Sequence, residues 1–145
     1  MGRFKRTSHA VYFCEYHIVI TTRYRRKIIN EGIFAHLELK LREVHEHYPH
    51  LEFQTVNHDK DHLHIKASIP PTTGVGKMVG VIKQNSSKDL KQKFPFLKQV
   101  YWGTDKIWSD GYFVSTVGID PKVIERYIEQ QGENDRGQTS DSLFE

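Results

Sequence analysis

The 145-residue chain predicts an α+β fold: an antiparallel sheet with helices on one face and one added helix at the C-terminal end. Three observations carry that prediction. Segments rich in β-branched and aromatic residues alternate with segments of helical period, in the order strand, helix, strand, strand, helix, strand, helix. The middle two strands are separated by a short polar loop that suits a hairpin. One strand, from His62 to Ile69, alternates strictly between apolar and polar side chains, as expected of a sheet with one buried and one open face.

Taken in order, VYFCEYHIVITT, residues 11 to 22, reads as a first strand near the centre of the sheet, and the basic cluster RYRRK follows at once. Between residues 29 and 47, Ile33, Leu37, Leu41 and Val44 recur at helical spacing, and Pro49 closes that helix. LEFQTVN, residues 51 to 57, predicts the second strand, and His62 to Ile69 the third, with NHDKD as the hairpin loop. In the third strand Leu63, Ile65, Ala67 and Ile69 point one way and His62, His64, Lys66 and Ser68 the other. The apolar set faces the helices, so both histidines stand on the opposite, open face. Residues 75 to 94 predict the second helix, with Val75, Met78, Val79 and Ile82 inward, and GYFVSTVG, residues 111 to 118, the fourth strand. Asp120 as N-cap and Pro121 at the first helical position begin the last helix, which is expected to stop at Gly132. The result is a ferredoxin-like, split βαβ arrangement in a single domain over residues 1–132, followed by a polar, mobile tail over 133–145.

Composition narrows the function. The net charge of +3 mildly favours a polyanionic partner. The single cysteine, Cys14, excludes an intrachain disulfide and a cysteine-rich zinc site, and a reducing, cytoplasmic setting is the default. No run approaches the roughly 20 apolar residues that span a bilayer. GVGK, Gly74 to Lys77, is too short a match to a phosphate loop to imply a nucleotide cofactor.

The candidate chemistry lies on the open face. His62 and His64, two apart on one strand, have α-carbons about 6.6 to 6.8 Å apart, close enough for both imidazoles to reach one ion, although a solvated pair has the same spacing. His58 and Asp61 lie in the adjoining loop, where hydration is the simpler role. Tyr127 and Gln131 stand one turn apart on one face of the last helix. Two neutral imidazoles and an amide oxygen form a mixed donor set that suits Mg2+ or Mn2+ better than the thiolate-rich sets of structural zinc. Such an ion would assist a tyrosine whose ordinary pKa near 10 makes it a poor nucleophile. Arg23, Arg25, Arg26 and Lys27 beside the sheet edge are the basic group favoured for contacts to a nucleic-acid backbone.

The pieces YHIVITTRYRR from Tyr16, DHLHIKASIPP from Asp61, VGVIKQNSS from Val79, WSDGYFVSTVG from Trp108 and YIEQQ from Tyr127 together resemble one family. It is the small single-tyrosine, His-hydrophobe-His transposases of bacterial and archaeal insertion sequences. The resemblance implies that His62 and His64 bind the catalytic divalent cation, Gln131 is its third protein ligand, and Tyr127 is the nucleophile. It also implies a core like that of RNA-recognition modules, a homodimer with joined sheets, and cleavage of single-stranded DNA at element ends that carry subterminal hairpins. The cut would leave a 5′-phosphotyrosine link and be resealed without a nucleotide cofactor. Two other readings remain at this stage: a replication or mobilisation nickase with the same chemistry, and a non-catalytic single-strand-binding module of the same fold.

Overall fold

The structure, a computed structural model, describes residues 4–116, 118 and 120–144, with the side chains of the last stretch described as far as 137. The strands are β1 Lys5–Arg6, β2 Val11–Tyr12, β3 Glu15–Thr21, β4 Glu52–His58, β5 His62–Ser68 and β6 Phe113–Ser115. The helices are α1 Glu31–His47, α2 Val75–Ser87, the short α3 Leu90–Lys93 and α4 Leu97–Val100, and α5 Pro121–Phe144. A four-stranded antiparallel sheet has the order β4-β5-β3-β6, which is the split βαβ topology expected.

One face of this sheet makes the core. Ile18 and Ile20 of β3 with Leu63, Ile65 and Ala67 of β5 meet Ile33, Leu37, Leu41 and Val44 of α1 and Met78, Val79 and Ile82 of α2. Each large apolar side chain so buried contributes about 1.5–3 kcal/mol. Both predicted helical stripes therefore face the sheet. α1 begins where the Asn30 side chain accepts the Ile33 amide at 2.8 Å, a cap that satisfies one of the free N–H groups of the first turn.

Four boundaries differ from the sequence expectation. The first strand is broken at Phe13 and Cys14: Val11–Tyr12 pairs with Lys5–Arg6 in a separate two-stranded sheet, and only Glu15–Thr21 enters the main one. α2 ends at Ser87 because the chain turns there, Asp89 taking a left-handed φ of 63°, before α3 resumes. Among the described residues of the predicted fourth strand, Phe113–Ser115 pair as β6, and residue 117 lies outside the described residues. α5 does not stop at Gly132 but continues to Phe144. Gly132 is buried against Arg25, where a Cβ would lie 2.5 Å from the arginine Cδ, so this glycine permits close packing rather than ending the helix. Asp135, in the stretch expected to be a mobile tail, is fully buried. The predicted start holds, with Asp120 Oδ1 accepting the Lys122 amide at 2.9 Å.

Register assigns the second face. His62 lies opposite Thr21, His64 opposite Val19 and Lys66 opposite His17, while Val19 and His17 lie opposite Phe113 and Ser115. The histidines thus stand away from the core as predicted, but the face is not fully open. Val19 and Thr21 have no solvent exposure, because α5 lies across the β3–β6 side of the face. Among the described residues, no helix is long and apolar enough to cross a membrane.

Candidate active site

β5 presents the two imidazoles, and each has its own partner. His62 Nδ1 lies 2.9 Å from Asp61 Oδ1, so its Nδ1–H donates to the carboxylate and the Nε2 lone pair is left for another ligand. The bond from His62, aided by Arg25 Nε at 3.4 Å, holds the Asp61 carboxyl below the usual range against the opposing effect of burial. Asp61 is therefore an orienting carboxylate rather than a hydrated loop residue. His64 Nε2 lies 3.2 Å from His17 Nδ1 on β3. Burial, followed by repulsion from His17 and His62, lowers the His64 pKa and favours the neutral ring that a metal ligand requires.

α5 supplies the other pair. A Cβ at Gly111 would lie 2.7 Å from Gln131 Oε1 and 3.4 Å from the Tyr127 hydroxyl, so the phenol and the amide oxygen meet at this one glycine. The Tyr127 ring packs against Phe113, with centroids 5.8 Å apart. Lys83 fixes the backbone beneath, its Nζ donating to the carbonyls of Ser109 and Gly111 at 2.7 Å each. The Tyr127 hydroxyl is sealed from solvent and has no hydrogen-bond partner among the described residues. Burial, reinforced by the Asp135 carboxylate, pushes its pKa up to about 12, so the phenol is neutral in this arrangement.

Of the four residues singled out from the sequence, the structure brings Tyr127 and Gln131 together and places His62 and His64 on the same face across β3. No hydrogen bond or ring contact joins one pair to the other among the described residues. Nor is any group of three or more His, Cys, Asp or Glu there arranged to hold an ion. The donors nevertheless fit a divalent cation chemically. One imidazole is oriented by a carboxylate, the other is kept neutral by its surroundings, and the third donor is an amide oxygen.

The basic cluster divides into two roles. The Arg23 side chain is mostly buried, 3.6 Å from the Asp110 carboxylate, and Arg25 pairs with Asp61 while covering Gly132. Arg26 and Lys27 are exposed, the Arg26 guanidinium lying 5.8 Å from the centroid of the Tyr24 ring. Sequence reasoning missed His17, the structural role of Lys83, and Asp135. The first could have been found in YHIVIT, because a histidine in a strand of alternating period adjoins the His64 face; nothing in the sequence announces the other two.

The profile described as "Transposase IS200 like" matches residues 10–131 of this chain. The chain is 32% identical over 136 residues to the transposase for insertion sequence element IS200 of Salmonella typhimurium strain LT2, covering 94% of this chain and 88% of that protein. It is 29% identical over 122 residues to the ISDra2 transposase TnpA of Deinococcus radiodurans, covering 83% and 86% respectively. A crystal structure from Deinococcus radiodurans R1, also described as a transposase, superposes with a TM-score of 0.77 at 29% identity, over 88% of this chain and 97% of that one. A REP-associated tyrosine transposase bound to a REP hairpin shares the fold, with a TM-score of 0.53 at 14% identity, over 88% of this chain and 68% of that one.

Proposed function

This chain belongs to the IS200-like transposase family, and on that premise we propose that it cleaves and rejoins single-stranded DNA at the ends of an insertion sequence. The observation that carries the reading is the docking of α5 on the histidine face, with the Tyr127 phenol and the Gln131 amide side by side at Gly111.

Tyr127 is the nucleophile. Its oxygen attacks the scissile phosphorus, the bond to the 3′-oxygen breaks, and that oxygen leaves as a 3′-hydroxyl while the 5′-phosphate stays on the tyrosine. Attack by another strand's 3′-hydroxyl on this adduct reverses the chemistry and frees Tyr127, so no nucleotide is consumed. His62, His64 and Gln131 are the residues that would hold a divalent cation, Mg2+ or Mn2+, whose role when bound is to polarise the phosphate and offset charge developing on its oxygens. Asp61 keeps the His62 ring turned for that role through the bond to Nδ1. Burial and the Asp135 carboxylate raise the Tyr127 pKa to about 12, so the phenol enters the reaction in its neutral form and gives up its proton as its oxygen attacks.

Arg26 and Lys27, exposed on the turn after β3, are the backbone-contacting members of the basic cluster, with Arg23 and Arg25 holding the turn and contributing field rather than direct reach. The working form is a homodimer in the cytoplasm that recognises subterminal hairpins.

The test is covalent capture. Labelled single-stranded element ends incubated with the protein and Mg2+ or Mn2+ give a denaturation-resistant adduct that Tyr127→Phe and chelation abolish. An adduct still formed by Tyr127→Phe would refute the assignment, and binding without any adduct in the wild type would favour the non-catalytic module.

A further inference from the structure

We propose that Asp135 positions the tyrosine helix, acting as a latch that ties α5 to the basic turn and to the segment before Gly111 through the Tyr24 amide and the Ser109 hydroxyl. The inference rests on the reading of Tyr127 as the nucleophile and adds to it the group that sets where the phenol stands.

Asp135 is a carboxylate with no solvent exposure. Its Oδ2 accepts from the Tyr24 amide at 2.9 Å and from Ser109 Oγ at 2.5 Å, contacts that reach 111 and 26 residues back along the chain. Both partners belong to segments that build the site. Tyr24 lies in the basic turn, where it and Arg25 hold left-handed φ values of 60° and 53°. Non-glycine residues keep that conformation only where the surroundings enforce it, and a carboxylate on the Tyr24 amide is one such enforcement. Ser109 precedes Gly111, and Lys83 grips the carbonyls of both.

Helical geometry makes the latch a determinant of the phenol. Tyr127, Gln131 and Asp135 follow one another at four-residue intervals, so they share one face of α5, with Asp135 about 12 Å along the axis from Tyr127. Fixing Asp135 therefore fixes both the rotation and the height of the other two. Gly132, between them in sequence, brings the helix against the Arg25 side chain with no room for a Cβ. The contacts close a ring: Asp135 to Ser109, Ser109 through its carbonyl to Lys83, Lys83 to Gly111, and Gly111 to Gln131 and Tyr127. The basic turn and the nucleophile are mechanically joined by it, so whatever displaces the turn displaces the phenol.

The experiment compares Asp135→Ala, Asp135→Asn and Ser109→Ala in the full chain. The measurements are thermal unfolding, hydrogen exchange of the Tyr24 amide, affinity for a single-stranded element end, and rate of the Tyr127 adduct at saturating DNA. In Asp135→Ala the Tyr24 amide should exchange about tenfold faster or more, and the adduct rate should fall by a similar factor while DNA affinity stays within about threefold. Asp135→Asn keeps a carbonyl oxygen in place and should recover most of both losses, and Ser109→Ala should show a partial loss. Native exchange and native rate in Asp135→Ala, or Asp135→Asn no better than Asp135→Ala, would overturn the latch. If Asp135→Ala does not fold, native exchange and rate in Ser109→Ala would overturn it equally. Should the wild type form no Tyr127 adduct, the proposed reaction falls, while Tyr24 exchange still decides the latch.

Discussion

The two faces of one sheet are built to different standards. On the helix side, Ile18, Ile20, Leu63 and Ile65 are completely buried among apolar neighbours. On the other side the same strands present polar groups: His64 faces His17, His62 faces Asp61, and the Tyr127 hydroxyl is buried without a hydrogen-bond partner among the described residues. A buried hydroxyl without a hydrogen bond costs about 1–3 kcal/mol, whereas the residues that β3 and β5 turn to the helices, Ile18, Ile20, Leu63 and Ile65, carry no side-chain polar atom to satisfy. The contrast teaches that the period of two along a strand separates stability from chemistry, so that one face can carry strain the other offsets.

The sharpest way to test this separation is Tyr127→Phe. Adduct formation should fall by at least ~10³-fold, while thermal unfolding shows unchanged or slightly greater stability, because the deleted hydroxyl makes no hydrogen bond among the described residues. A clear loss of stability would mean that the phenol also supports the fold. On the opposite face, Ile65→Ala should destabilise by about 2–5 kcal/mol in denaturant titrations, with the remaining folded molecules still forming adduct. Activity lost at a denaturant concentration where the variant is fully folded would break the separation. Asp61→Asn acts on the chemical face alone: by weakening the orientation of His62 it should reduce Mn2+ affinity about 10- to 100-fold, measurable by calorimetry. Unchanged affinity would remove the carboxylate from the cation-binding scheme.

Acid should act on both faces, and this is the smallest expected effect. His64 on the chemical face and His36 on α1 both have pKa values lowered from 6.5, burial being the first cause for each. The unfolded chain then binds more protons than the folded one just below that value. Their contribution to stability is therefore full above pH 6.5 and lost as pH falls through the window beneath it. Equilibrium unfolding followed from pH 7.5 to 5 in the wild type and in His64→Gln apportions the loss: a flatter profile in the variant assigns part of it to the chemical face, and identical profiles assign it elsewhere.

Much of this was legible in the residues themselves. The alternation from Leu63 to Ile69 and the stripe Ile33, Leu37, Leu41, Val44 specified which surfaces would meet, because apolar burial depends on local period. Asp120-Pro121 specified where α5 begins, because capping is a local hydrogen bond. The motifs around His62, His64 and Tyr127 were likewise enough to point to the family, since each is a short contiguous string. Gly132 misled, because a glycine that ends a helix and a glycine that lets Arg25 approach look the same in a sequence.

What the sequence determined by itself was the four strands of the main sheet and the two helices on it, the start of the last helix, the face on which the imidazoles stand, and the residue types available for chemistry, all of which follow from local pattern along the chain. Only the tertiary structure decided that Asp61 and His17 are the partners of the two histidines, that Gly111 is where phenol and amide meet, and that Asp135 reaches back 111 residues to Tyr24. Those contacts join atoms far apart in the chain, and side-chain period carries no information about which distant segments will be folded against one another.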